Sequence, residues 1–114
     1  QSPSVFLGEL RGLKAPIVIS HGEGRITKPI KSKDLVSMRY IDNFGNVAHE
    51  YPSNPNGSVD GVAGLTSSDG RATIMMPHPE RVFRSMQLSY RPEEWLDDEG
   101  PWLRLFQNAR AFVD

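Results

Sequence analysis

The stretch Ala15-Pro-Ile-Val-Ile-Ser20, followed by His21-Gly-Glu-Gly24, carries the strongest fold signal in the chain. Three successive β-branched apolar residues that end at glycines are typical of a buried strand, often one in a parallel sheet. Ligands of open α/β sheets bind at the carboxyl edge of such strands, where glycines let backbone N–H groups approach a substrate. Because the same glycines suit a plain tight turn, this segment predicts a strand without establishing a ligand.

A hairpin is predicted further along the chain. The apolar segments 59–66 and 71–76 flank Ser67-Ser-Asp-Gly70, and Asp-Gly between two such runs is a good short-range hairpin signal. Another strand is predicted in Leu35–Ile41, with Val47–Tyr51 returning as its partner. The two strands of that second pair are separated by turn-forming residues.

The loop Pro52-Ser-Asn-Pro-Asn-Gly-Ser58 follows, and every one of its residues favours turns. Its amides and hydroxyls could contact a ligand, but reversal of the chain is the better interpretation. The clearest helix comes last and begins after Gly100-Pro101. Its apolar positions form one stripe that should pack on a sheet, at Trp102, Leu105, Phe106, Ala109, Phe112 and Val113.

Composition limits the chain to one domain. Its 114 residues include 13 basic and 14 acidic side chains, a balance that argues against a protein coating nucleic acid. Its apolar runs are far shorter than the ~20 residues that cross a bilayer. The sequence contains no cysteine, which excludes a disulfide, a cysteine zinc ligand and a cysteine nucleophile within it. Because it begins at Gln1 rather than methionine, we expect a processed product or part of a longer chain.

The most chemically suggestive motif is His78-Pro-Glu80, directly after the predicted hairpin. Side chains two apart in an extended segment point the same way, so the Glu80 carboxylate can accept the imidazole Nδ1–H. That bond would set the tautomer and leave Nε2 as a base. On spacing alone, a proline-rich turn with two solvated side chains is the stronger interpretation.

The remaining histidine, tryptophan and acidic residues are better explained by structural or solvated roles than by metal or ligand binding. The histidines His21, His49 and His78 lack the pairwise spacing of metal ligands, so no metal site is predicted. Trp95 and Trp102 should pack rather than stack on a ligand. An acidic run before the last helix suits a solvated connection, and it comprises Glu93, Glu94, Asp97, Asp98 and Glu99.

Five ordered segments resemble a known enzyme family. They are His21-Gly-Glu-Gly-Arg25, Arg39-Tyr-Ile-Asp-Asn-Phe-Gly45, Asn54-Pro-Asn-Gly-Ser58, Met75-Met-Pro-His-Pro-Glu-Arg81 and Gly100-Pro-Trp-Leu-Arg-Leu-Phe-Gln-Asn-Ala-Arg110. Together they are similar to the C-terminal end of the phosphoribosylformylglycinamidine synthases, glutamine-dependent enzymes of purine biosynthesis. The similarity spans essentially the whole chain and favours the large single-chain form over a separate small glutaminase subunit.

The resemblance implies an α/β fold, the C-terminal half of a flavodoxin-like class I glutamine amidotransferase domain, whose nucleophile-bearing part is absent from residues 1–114. In that family a cysteine attacks the side-chain amide of glutamine and forms a thioester. The released ammonia travels to a synthetase site, where ATP and Mg²⁺ support conversion of formylglycinamide ribonucleotide to formylglycinamidine ribonucleotide. The implied parent enzyme is an ATP- and glutamine-dependent ligase of the cytoplasm.

The resemblance also implies roles for particular residues. His78 and Glu80 match the catalytic histidine and glutamate, and His21, Gly22 and Glu23 match the segment whose backbone helps hold glutamine. No cofactor is implied in this chain, since ATP and Mg²⁺ belong to the synthetase part. The implied partners are glutamine and the remainder of the parent enzyme, with neither nucleic acid nor membrane. One departure from the family pattern is a short connection at 26–34.

Two rival functions remain at this point. A serine hydrolase could use Ser20 or Ser58 with His78 and Glu80, although the G-x-S-x-G elbow is missing. A non-enzymatic interaction module would make the His-Pro-Glu turn purely structural. Under the leading interpretation, the chain alone is inactive because it lacks the thiol. Its unpaired strand also predicts a companion polypeptide or self-association.

Overall fold

The sheet is built on the hairpin that Ser67–Gly70 predicts. The computed structural model describes residues 2–20, 22–95 and 98–114, and within these ranges it has three strands and one α-helix. The elements are β1 (Val36–Arg39), β2 (Val62–Thr66), β3 (Thr73–Met75) and α1 (Leu103–Val113). Short 3₁₀ turns lie between them at Lys33–Leu35, Val59–Gly61, Pro79–Arg81, Ser85–Gln87 and Glu93–Trp95.

The predicted hairpin is confirmed, with β2 and β3 paired antiparallel. Its turn is closed by a 2.8 Å hydrogen bond from the Ser67 N–H to the Ala72 carbonyl. Gly70 has a φ of 74°, and a Cβ there would lie 2.1 Å from the carbonyl oxygen of Pro3. Only glycine therefore fits this position, both for its backbone conformation and for the close approach of the N-terminal segment.

β1 lies on the other side of β2, so the sheet order is β1-β2-β3 and each pairing is antiparallel. The prediction that Val47–Tyr51 returns as partner of the first strand holds only at its start, where Ile41 and Val47 form an antiparallel bridge and the Ala48 N–H donates to the Tyr40 carbonyl. It is wrong beyond Ala48, where no strand forms. The chain bends away because the Asn54 side chain donates to the Ala48 carbonyl at 3.1 Å. The backbone N–H of Asn54 also donates to Glu50, which closes a tight turn.

The segment Ala15–Ser20 is not a strand, and this prediction is wrong too. Two of its carbonyls accept hydrogen bonds from residues that lie outside the strands. Pro16 accepts from the Trp102 indole at 2.7 Å, and Val18 accepts from the His78 backbone at 2.8 Å. A strand requires a neighbouring strand as well as apolar residues, and no strand of the described ranges pairs with this segment. The predicted parallel arrangement is therefore not seen in that part of the chain.

The apolar side chains of this segment nevertheless help to form the core. Ile19 packs against one buried cluster, while Ala15, Ile17 and Val18 pack against another. The first cluster is Tyr40, Ala48 and Ala63, and the second is Val82, Leu88 and Trp102. Trp95 also packs on the second cluster, which confirms that both tryptophans serve packing. The segment thus joins the sheet to the region that follows β3.

The predicted C-terminal helix is confirmed, but its apolar stripe is only partly covered. Leu105 is buried, whereas Phe106, Phe112 and Val113 are 40, 54 and 74% exposed. The expectation that the whole stripe packs on a sheet is therefore wrong at these three positions, of which Phe106 lies in the first turn of α1 and the other two in its last turn. Within the described ranges, no helix has the length and apolar character needed to span a membrane.

Candidate active site

The His-Pro-Glu motif forms a tight turn just after β3. Pro79–Arg81 is one 3₁₀ turn, closed by a 3.2 Å bond from the Arg81 N–H to the His78 carbonyl. Proline suits the first position of such a turn because the N–H that it lacks would have no partner there. Val82, only 2% exposed, anchors the end of the turn in the second core cluster. The predicted extended backbone is thus wrong at Pro79–Arg81.

The predicted contact between the two side chains is present despite the different backbone. His78 Nδ1 lies 2.7 Å from Glu80 Oε1, a distance typical of a hydrogen bond assisted by charge. The His78 side chain is 31% exposed and that of Glu80 is 55% exposed. Both groups are therefore accessible to a small ligand.

The environment of Glu80 determines which atom holds the proton. The hydrogen bond from His78 is the main cause that lowers the pKa of the Glu80 carboxyl. Its own backbone N–H and the charges of His78 and Arg81 lower that pKa further, and burial opposes them. An ionised carboxylate only accepts hydrogen bonds, so Nδ1 must donate. In neutral His78 the lone pair is then on Nε2, which is the arrangement a general base requires.

This pairing predicts the titration of Glu80. We expect its side-chain carboxyl to titrate below an unpaired glutamate in a carbon-13 NMR experiment, and His78→Ala should move the pKa back up. Because the folded-state pKa is depressed, the contribution of the pair to stability is present above the unfolded pKa. It is lost as the pH falls through the folded pKa. An unchanged Glu80 curve in His78→Ala would contradict the assignment, and the curves of the other glutamates provide the control.

A cleft of about 320 Å³ lies beside the pair. Apart from His78, Pro79 and Glu80, its lining is mainly apolar, with Phe6, Thr73, Met75, Pro77, Leu105 and Phe106. A larger cavity, of about 450 Å³, lies between the N-terminal segment and β1, but neither histidine nor carboxylate lines it. The smaller cleft is therefore the better candidate for an active site, because it is lined by side chains that can transfer protons.

The segment proposed to hold the substrate is only partly described. Gly22 and Glu23 are exposed in a bend, and His21 lies outside the described residues. The backbone after them is held by the loop 54–58, because Ile26 donates from its N–H to Ser58 Oγ at 3.2 Å. Asn56 Nδ2 also donates to the Gly24 carbonyl. The roles of these residues toward glutamine stay predictions.

The loop Asn54–Ser58 is a turn, as the sequence favours. Asn54 is fully buried and bonds to Ser58 at both ends of its amide, through the Ser58 carbonyl at 2.9 Å and the Ser58 N–H at 3.0 Å. Sequence reasoning missed that Asn56 and Ser58 reach 32 positions back to the 24–26 segment. No local pattern could have revealed contacts of that separation.

The serine hydrolase alternative loses support from these contacts. Ser58 is 2% exposed, and its hydroxyl accepts from a backbone N–H, so it is a structural group. The Ser20 hydroxyl accepts a 3.1 Å hydrogen bond from Arg81 Nη1. Neither hydroxyl is hydrogen-bonded to His78 in the described structure, as a serine nucleophile paired with its base would be.

In the described part of the chain, no group of three or more histidine or acidic side chains is placed so that it could hold a metal ion.

Among known protein families, the CobB/CobQ-like glutamine amidotransferase domain matches residues 1–113. That match includes the His78–Glu80 pair, the 22–23 segment and helix α1. The chain belongs to the CobB/CobQ-like glutamine amidotransferase domain family.

Proposed function

We propose that this chain is the base-bearing part of the glutaminase domain of a phosphoribosylformylglycinamidine synthase. The single observation that carries the chemistry is the 2.7 Å hydrogen bond between His78 Nδ1 and Glu80 Oε1, beside a cleft large enough for a small substrate. The specific enzyme is supported by the five ordered sequence segments described above. The substrate of this site is glutamine, and its product is ammonia for purine biosynthesis.

The proposed chemistry needs a cysteine that these residues do not include, supplied by the remainder of the parent enzyme. A free thiol has a pKa near ~8.5 and is a weak nucleophile at neutral pH. His78 Nε2 takes the thiol proton, and the resulting thiolate attacks the side-chain carbonyl carbon of glutamine. Glu80 stabilises the imidazolium that forms, because its carboxylate accepts the Nδ1–H.

The same imidazolium then completes the first half of the reaction. It gives its proton to the amide nitrogen, the carbon–nitrogen bond breaks, and ammonia leaves as the thioester forms. His78 next accepts a proton from water, which attacks the thioester and releases glutamate and the thiol. The ammonia is used at the synthetase site, where ATP and Mg²⁺ would bind, and no residue of this chain is assigned to that step.

The proposal is tested with a thiol-directed glutamine analogue. The full-length enzyme should be labelled once per chain and lose glutamine-dependent activity, while the isolated 114 residues should neither be labelled nor release ammonia from glutamine. Ammonia release by the isolated chain that disappears in His78→Ala would refute the cysteine mechanism and revive a hydrolase. A full-length enzyme that resists the analogue would favour the interaction module.

A further inference from the structure

The segment 16–20 accepts a hydrogen bond at every second residue, and two of these three bonds come from the turn that carries His78. The Pro16 carbonyl accepts from the Trp102 indole, and the Val18 carbonyl accepts from the His78 N–H. The Ser20 hydroxyl accepts from Arg81 Nη1 at 3.1 Å. Two of these bonds are accepted by backbone carbonyls, and the third is accepted by a side-chain hydroxyl. The last of them comes immediately before residues 21–23.

The other end of that stretch is attached as well. Asn56 Nδ2 donates to the Gly24 carbonyl, and the backbone of Ile26 bonds to Ser58 and to Val59. Between these attachments lie the exposed Gly22 and Glu23. The segment proposed to hold glutamine is therefore preceded and followed by residues with long-range hydrogen bonds. We call these residues its two anchors, one at Ser20 and one at residues 24–26.

Arg81 connects the first anchor to the catalytic pair. Its backbone N–H closes the 3₁₀ turn onto His78, and its side chain crosses 61 positions of sequence to reach Ser20. Its charge also acts on Glu80, in the direction that keeps the carboxylate ionised. One residue thus belongs to the turn that carries the base and also holds the end of the segment assigned to the substrate.

We infer that Arg81 is a positioning residue, which through Ser20 sets the distance between the glutamine-holding segment at 22–23 and the base His78. The inference rests on the proposed glutaminase function. Arg81 need not touch the substrate for this role. Losing the link would loosen the segment that holds glutamine, which weakens binding of the substrate and of the transition state alike and therefore raises KM.

The test uses the full-length enzyme with Arg81→Gln, Ser20→Ala and the double variant. Each single change should raise the KM for glutamine about three- to tenfold, the size of one exposed hydrogen bond, with little change in kcat. The double variant should be no worse than either single one, because both remove the same bond. Ammonia-dependent synthesis should be unaffected in all three.

Arg84→Gln is the matched control, since Arg84 is an exposed arginine three positions on whose side chain lies 3.9 Å from Asp98 instead. Its KM should stay at the wild-type value. Additive effects, a fall in kcat without a rise in KM, or an unchanged KM in Ser20→Ala would each overturn the positioning role. His78→Ala in the same assay separates the two ideas, because only its retention of glutamine-dependent activity would refute the proposed function.

Discussion

Replacing His78 with alanine should abolish glutamine-dependent synthesis by the full-length enzyme and leave synthesis from free ammonia at high concentration intact. His78 is the group of the described site suited to accept the thiol proton, since the hydrogen bond to Glu80 places the single N–H proton of the neutral ring on Nδ1 and leaves the lone pair on Nε2. Removal of a triad base in comparable chemistry costs kcat a factor on the order of 10⁶. We therefore expect glutaminase turnover to fall to the background rate.

The measurement compares the two nitrogen sources in one preparation, with steady-state rates of product formation from glutamine and from ammonium salts. His49→Ala provides a matched control, because His49 is exposed and does not line the cleft beside the pair. Equal loss of both activities in His78→Ala would mean that the pair serves the structure alone. Full retention of the glutamine activity would show that another group is the base.

Glu80→Gln should weaken the same half-reaction less than His78→Ala. The amide oxygen of glutamine can still accept the Nδ1–H, but it carries no charge to stabilise the imidazolium. Loss of a triad orienter can nonetheless reduce kcat by up to ~10⁴, because the amide can also hold the wrong tautomer. The ranking of the two variants therefore distinguishes the proton carrier from the group that orients it.

The parts of the fold that were predicted correctly depend on neighbours in the sequence. The turn before β3 follows from Gly70, which has a positive φ, and from the Asp69 carboxylate, which accepts from the Ser67 hydroxyl and the Arg71 N–H. Helix α1 follows from the periodic residues after Pro101. The contact between His78 and Glu80 was also predicted, although for an extended backbone. The contact survives that error because His78 lies just before the 3₁₀ turn with a non-helical backbone (φ −113°, ψ 80°), which lets its ring reach the Glu80 carboxylate.

The incorrect predictions concern segments whose conformation depends on residues distant in the sequence. The apolar run Ile17–Ile19 has strong strand propensity, but propensity expresses fit to a pleated, half-buried surface and not the presence of a neighbour. In the described structure the Val18 carbonyl accepts from the His78 N–H instead, and the carbonyl of the preceding Pro16 accepts from the Trp102 indole. The link between Ser20 and Arg81 lies beyond sequence reasoning for the same reason, because 61 residues separate the partners. The hydrogen bonds that hold the two ends of the segment proposed to bind substrate therefore emerge only from the three-dimensional structure.

The second large effect should come from Asn54, whose side chain organises the loop behind the substrate segment. It is fully buried, donates to the carbonyls of Ala48 and Ser58, and accepts from the Ser58 N–H. Asn54→Ala would leave these three backbone groups without their partner in a site with no room for bulk water. Each unsatisfied group costs about 1–3 kcal/mol, so we expect a loss of about 3–5 kcal/mol in the free energy of unfolding.

The same substitution should also disturb the candidate site, because the Ser58 hydroxyl accepts the hydrogen bond from the Ile26 N–H. Urea denaturation followed by tryptophan fluorescence measures the stability loss, since Trp102 is buried in the second core cluster. Asn43→Ala is the control, as Asn43 is exposed in another turn and its loss should change stability by less than about 0.5 kcal/mol. A loss below about 1 kcal/mol for Asn54→Ala would show that water replaces the amide. In that case the loop, and with it the anchor at residues 24–26, would not depend on the buried side chain.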